Sequence, residues 1–132
     1  MTQRNIYAMD AIVNKLEDGM KLSTALNCVY SKRNVCIPYC NRDLDTPIES
    51  LGLSRRSLNS LMRAKLLTIG HVVDFCENRK ITDVVTLGRG SGIEIFEAIL
   101  DCCWNNMDEK EKTAFLIDTV ERNEENLRDE IF

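Results

Sequence analysis

Histidine and tryptophan occur once each in these 132 residues, proline twice, and aromatic residues make up 6% of the chain. Nowhere does an apolar run approach the ~20 residues that a bilayer span needs. The start, "MTQRNIYAMD", has no basic-then-apolar build of the kind a secretory leader shows. A cytoplasmic protein with no membrane association is the expectation. No CxxC pair occurs among the six cysteines Cys28, Cys36, Cys40, Cys76, Cys102 and Cys103, so the ligand spacing of a zinc finger is absent. Cys36 and Cys40 are four apart, with Cys28 nearby and His71 as the one histidine, and these are the residues a zinc site would draw on. The expectation is instead reduced thiols behaving as small hydrophobes. His71 stands apart from other ligands and reads as an ordinary helix residue rather than a catalytic base.

Apolar content of 44% and charged content of 29% are those of a globular protein rather than a disordered or fibrous one. The formal charge is −4, and its distribution says more than its sum. Residues 1 to 47 hold six basic and five acidic side chains, residues 48 to 100 seven and six, and residues 101 to 132 four and ten. The excess acid therefore belongs to the C-terminal segment, which reads as a solvated face or a docking surface for a basic partner.

Periodicity is helical almost throughout. Ile6, Met9, Ile12, Val13 and Leu16 predict one stripe, closed by Gly19 at the helix C-terminus. Ser23 is expected to cap a second helix bearing Ala25, Leu26, Val29 and Tyr30. "SKRNVCIPYCNRDLDTP" then breaks the period and predicts a linker or short strand. Thr46, Pro47 and Glu49 look like a capping box with proline at the first helical position. Ser54 predicts the cap of a helix to about Lys65, with Leu58, Leu61 and Met62 on one face and Arg56, Asn59, Ser60 and Arg63 on the other. Thr68, Thr82 and Ser91 predict three more starts. From Ser91, Ile93, Phe96, Leu100 and Cys103 are expected inward and Glu94, Glu97 and Asp101 outward. A last helix from Asp108 carries Leu116, Ile117, Val120 and Leu127. Trp104 is expected in a core or against this last helix. Three segments result: an N-terminal helical extension and linker over 1–46, a small helical domain over 47–104, and an acidic helix over 105–132.

Within "TLGRGSGIEIF", three glycines in five residues precede an apolar run. Glycine serves where the backbone takes positive φ or lets another molecule approach it closely. The spacing of Gly88, Gly90 and Gly92 is GxGxG, not the GxGxxG of a dinucleotide site, and no strand-helix alternation surrounds it. No lysine followed by Ser or Thr closes a P-loop, so nucleotide chemistry is not expected. Two readings remain: a tight turn, or a helix start whose uncovered amides attract a phosphate.

"ESLGLSRRSLNSLMRAKLLTIGHVVDF" followed by "TLGRGSGIEIFEAIL" resembles the C-terminal domain of the bacterial RNA polymerase alpha subunit. The residues that carry the resemblance are the L-x-L-S-x-R-S-x-N-x-L run, the pair Ile69–Gly70, and the L-G-x-x-S-x-x-E run from Leu87 to Glu94, between about Pro47 and Leu100. The resemblance implies an all-α domain with helix-hairpin-helix elements. It also implies contact with the minor groove and phosphates of A+T-rich DNA through Arg56, Asn59, Gly88 and Ser91, with Glu94 matching an acid near the same surface. An arginine can enter a narrow, electronegative minor groove, an amide can bridge its acceptors, and bare loop amides can hold a phosphate. Where the family usually has a lysine before the serine, this sequence has Gly90, and Arg89 or Arg55 is the replacement at hand.

The candidate DNA-contacting residues are therefore Arg55, Arg56, Asn59, Ser60, Arg63, Gly88, Arg89, Gly90 and Ser91. No catalytic residue, cofactor or resident metal is expected. The sequence leads to a small bacterial or phage-type transcription-associated protein that reuses the domain to bind DNA. A second reading keeps the fold but docks on RNA polymerase, sigma factor or an activator. The apolar stripes of the flanking helices are equally suited to a homodimer interface or to completing a core.

Overall fold

Thr2 opens the first helix by accepting the Asn5 N–H on its hydroxyl at 3.2 Å. The structure, a computed structural model, describes residues 1–31, 42–84 and 87–128. Six α-helices are described: α1 (Gln3–Glu17), α2 (Leu22–Val29), α3 (Arg55–Arg63), α4 (Ile69–Cys76), α5 (Arg89–Asn105) and α6 (Glu109–Arg122), with 3-10 turns at Ile48–Leu51, Ile81–Asp83 and Glu124–Asn126. Among the described residues there are two isolated bridges and no strand, and no helix is long and apolar enough to cross a membrane. The fold is all-α. The protein divides into two units, one made of Met1–Cys40 with Trp104–Phe132 and the other of Asn41–Cys103.

In the first unit, α1 packs against both α2 and α6. Its C-terminus is a Schellman turn, in which Gly19 at φ 96° donates to Leu16 O and Met20 N donates to Lys15 O. The face of α1 that is buried runs through Asn5, Ala8 and Ile12, while Ile6 is exposed. The expected stripe is thus turned toward a position next to a small residue, between two packed neighbours. α2 buries Ala25, Leu26, Val29 and Tyr30 as the period requires, but it begins one residue earlier than Ser23, which is itself buried. Asp108 and Glu111 each accept the other's backbone N–H across the start of α6, a reciprocal capping box. Leu127 lies beyond α6 and pairs with Tyr30 in a bridge, flanked by Ser31 N to Asn126 O and Arg128 N to Val29 O. Trp104 does meet the last helix: its ring is 6.1 Å from Phe115, with Lys112 5.2 Å over it. The flanking helices therefore close on each other. Inside, Asn5 Oδ1 and the Tyr30 hydroxyl are buried without a hydrogen-bond partner among the described residues, and burial pushes the Tyr30 hydroxyl up to about 12.

The second unit buries Ile48, Leu61, Leu66, Val72, Ile81, Val84, Leu87 and Ile95. Ser54 and Thr68 cap α3 and α4 as expected, accepting from Ser57 N and His71 N. α3 stops at Arg63 rather than Lys65. Lys65 N donates to Met62 O and Leu66 N to Leu61 O, a second Schellman turn with Lys65 at φ 61° in the place glycine usually takes. Residues 44–48 run along 67–70 through three backbone bonds, Ile48 N to Leu67 O, Ile69 N to Thr46 O and Gly70 N to Leu44 O. That pairing displaces the expected capping box. Pro47 is extended, bridges to Thr68, and precedes the 3-10 turn instead of entering it. The 3-10 turn at Ile81–Asp83 is held by Asp83, which accepts from Lys80 N, not by Thr82. The linker expected over 31–47 falls mostly outside the described residues.

Two glycines are packing requirements. A Cβ on Gly70 would meet Leu44 O at 2.9 Å, and one on Gly92 would meet Ile81 Cγ2 at 2.9 Å. Backbone yields less readily than a side-chain methyl, so Gly70→Ala should lose at least ~2 kcal/mol and Gly92→Ala about 1 kcal/mol, overpacking outweighing the helix preference of alanine. Gly90 has nothing within 4 Å, and Gly90→Ala should gain ~0.5 kcal/mol. Urea unfolding of the three variants checks the order.

Candidate nucleic-acid interface

Ser54 ends an extended segment and starts α3, so Arg55 and Arg56 occupy the first helical turn. That turn contains no acidic residue, and cations there oppose the helix dipole. Helix stability is therefore not the reason for these arginines. Arg56, Asn59 and Arg63 recur at helical spacing and are exposed, as is Arg55. None of the three arginines forms an ion pair among the described residues. Ser60 departs from the expectation. It is 3% exposed and belongs to the inward face with Ser57 and Leu61, while Met62, expected inward, is exposed. The α3 surface is thus narrower than the polar pattern implied.

α5 begins at Arg89, three residues before the start expected after a cap at Ser91. Gly92 N donates to Gly88 O at 3.0 Å, so Gly88 holds the cap position and Ser91 lies within the first turn. Glycine has no side-chain oxygen with which to cap, and the sequence pointed to the nearest residue that has one. Gly88, Arg89 and Gly90 are exposed and Ser91 is half-buried. Among the described residues, neither Gly88 nor Gly90 has a heavy atom within 4 Å of where a Cβ would stand, and neither has positive φ. Backbone conformation and packing against the described residues therefore do not account for these two glycines. The start of α4 differs: there Gly70 N bonds Leu44 O and His71 N bonds Thr68. His71 is exposed and its Nδ1 accepts the Leu67 N–H at 3.1 Å.

Beyond its first turn, α5 buries Gly92, Ile95 and Cys103, while Ile93 and Phe96 are 48% and 49% exposed. The inward face is rotated by about a quarter turn from the expected one, with Cys103 still inward, because the close approach of Gly92 to Ile81 fixes which side of the helix faces the core. The same rotation brings Glu94 to α3. Its Oε1 accepts the Ser54 N–H at 2.9 Å. Since Ser91 and Gly90 lie one turn before Glu94 on α5, and Arg55 and Arg56 directly follow Ser54, this bond links the two halves of the candidate surface. Sequence reading noticed Glu94 only by position; the link spans 40 residues and has no local signal. Cys36 and Cys40, the cysteines a zinc site would draw on, lie outside the described residues, and among the described residues no group of three or more His, Cys, Asp or Glu side chains could hold a metal ion. Cys28, Cys76, Cys102 and Cys103 form no disulfide among the described residues.

The Glu94 carboxyl is held below the usual carboxylate range, first by the Ser54 N–H and further by the hydroxyls of Ser54 and Ser57, with burial opposing. A folded-state pKa below the unfolded one adds stability that is present above the unfolded value and lost as pH falls through the folded value. The Ser54 amide resonance followed by NMR should therefore titrate at a midpoint below that of free glutamate. A midpoint at or above that of free glutamate would show the bond absent.

Residues 39–101 match the family model for the C-terminal domain of the bacterial RNA polymerase alpha subunit. No curated protein and no solved structure shows a significant match to this sequence. The matched residues are just under half of the protein and agree, within two residues at each end, with the unit Asn41–Cys103. Domains of this kind interact with DNA and with the transcription machinery. The unit built on α3, α4 and α5 is accordingly an alpha-C-terminal-domain-like helical domain, and the match supports, at the level of the family, a DNA-binding or transcription-associated role.

Proposed function

We propose that the domain over 41–103 binds DNA, with Arg56 and Asn59 in the minor groove and Arg55, Arg63, Arg89 and the Gly88–Ser91 turn at phosphates. The observation that supports this most is the pair of exposed arginines at the positive end of α3, bonded through Ser54 and Glu94 to a helix start whose glycines have no packing role. An arginine that costs helix stability and pairs with no carboxylate among the described residues is explained by a polyanion outside the protein. Gly90 allows the backbone to approach a phosphate more closely than the family's lysine would. The contact it forgoes falls to Arg89. Ser60, being buried, takes no part. The reading involves no catalytic step and no cofactor.

One domain of this size binds weakly. If about three phosphates are neutralised, the salt slope is about −2.7, and roughly 40-fold of affinity disappears between ~50 and ~200 mM salt. Specific action at physiological ionic strength then calls for a second contact, through a bound partner or a second copy, that raises effective concentration. Exposed Ile93 and Phe96 favour a protein contact of this sort with polymerase, sigma factor or an activator, which stands as the second reading.

Fluorescence anisotropy on an A+T-rich duplex at low salt should give a Kd for Arg56→Ala at least ~5-fold weaker than wild type, and a salt slope smaller in magnitude by about 0.9 for each phosphate no longer neutralised. Equal binding by both proteins, or by neither, rejects DNA binding. Against purified RNA polymerase holoenzyme, Phe96→Lys should abolish binding if the second reading holds, with Arg56→Ala unaffected.

A further inference from the structure

Between Ser50 and Val73 the sequence holds Arg55, Arg56, Arg63, Lys65 and His71 and no acidic residue. Arg55 and Arg56 stand at one end of α3. At the other end, about 12 Å away by helical rise, the turn into α4 has properties that folding alone does not require. Met62 and Leu67 are 42% and 44% exposed, although both are large and apolar. Lys65 takes φ 61°, a conformation that costs any residue with a Cβ and costs glycine little. The helix dipole favours a cation at this end of α3. Arg63 already answers to that, and the dipole does not explain a strained lysine beside two uncovered apolar groups.

Backbone bonds hold these groups in one turn. Lys65 N donates to Met62 O at 3.0 Å, and Leu67 O accepts from Ile48 N at 3.0 Å. The exposed His71 accepts the Leu67 N–H on Nδ1 at 3.1 Å, so the neutral imidazole carries its proton on Nε2 and offers a second donor near the lysine. Lys65 and His71 form no ion pair among the described residues, and neither do Asp45 and Glu49 beside them in the segment paired with 67–70. Apolar groups among cations with no internal anion suit a surface that combines an apolar stripe with carboxylates. A nucleic-acid strand would use the cations but set its charged backbone against Met62 and Leu67. We propose that the turn between α3 and α4 is a docking site for an acidic amphipathic helix of a partner protein, with Met62 and Leu67 under its apolar stripe and Lys65 and His71 at its carboxylates. The inference goes beyond both readings above and shares no residue with either.

The probes are two synthetic peptides of about 15 residues with the same leucine stripe at helical spacing, one flanked by glutamate and the other by lysine, titrated at fixed low salt by fluorescence anisotropy. The formal charge of −4 would by itself draw the lysine peptide. A local basic site reverses that order, and wild type should bind the glutamate peptide about tenfold more tightly. Met62→Ser and Leu67→Ser should each weaken that binding about fivefold. Lys65→Gly should weaken it about threefold while raising the urea midpoint, so that binding and stability move in opposite directions. Arg56→Ala and Phe96→Lys should bind the peptide as wild type does, and Lys65→Gly should bind an A+T-rich duplex within about twofold of wild type. No binding of the glutamate peptide, equal or tighter binding of the lysine peptide, or wild-type affinity in Met62→Ser, Leu67→Ser and Lys65→Gly would overturn the proposal. Weaker duplex binding by Lys65→Gly with peptide binding unchanged would assign the turn to DNA, and peptide binding lost only in Phe96→Lys would move the docking site to α5; either result also overturns it. The DNA-binding reading stands or falls separately, on Arg56→Ala and the duplex.

Discussion

Backbone approach closer than any Cβ permits governs the second unit. Gly70 against the Leu44 carbonyl and Gly92 against Ile81 set the depth at which α4 and α5 seat. Once Gly92 is seated, the angle of α5 about its own axis is fixed, and with it the burial of Ile95, the exposure of Ile93 and Phe96, and the reach of Glu94 to Ser54. A helix has one rotational freedom against a core, and a single position with no side chain removes it. The geometry at the start of α3 is therefore tied to packing at α5, two helices further along the sequence.

Local signals were legible where the physics is local. Ser54, Thr68 and Asp108 cap the helices they precede, and Gly19 closes α1, because a cap or a left-handed residue acts within four positions of itself. Helix faces were less legible. Ile6, Ile93, Phe96 and Met62 follow the apolar period yet remain exposed, and Ser57 and Ser60 break it yet are buried. Periodicity shows that a stripe exists, but when apolar residues cover more than one face, the neighbours choose among them. The displaced caps at Thr46 and Ser91 have the same origin. In each case a long-range contact, the pairing of 44–48 with 67–70 or the seating of Gly92, overrode a good local motif.

For the candidate surface, composition and motif identified the participants and structure supplied their relation. Arg55, Arg56, Asn59, Arg63, Gly88, Arg89 and Gly90 are all exposed, whereas Ser60 is turned inward. The glycines at 88 and 90 are informative because no packing contact among the described residues needs them, whereas Gly92, from the same motif, is a packing residue. One motif thus combines two unrelated constraints at alternate positions. The arginines show the complementary case, in which a local penalty at the helix dipole persists beside a bond that steadies the backbone.

The first unit is assembled from segments on either side of the second, with α1 against α6 and Tyr30 paired to Leu127. During synthesis, α1 and α2 emerge long before the helix that covers them, and the intervening domain is complete first. The apolar groups of α1 that α6 covers therefore lack that cover until residues 109–122 leave the ribosome. Closing so long an intervening loop adds only a slowly growing entropic cost, which an inserted domain that is already folded reduces further by holding its own ends in a defined place. Order of birth along the polypeptide, rather than strength of packing, then decides which half of this protein exists first.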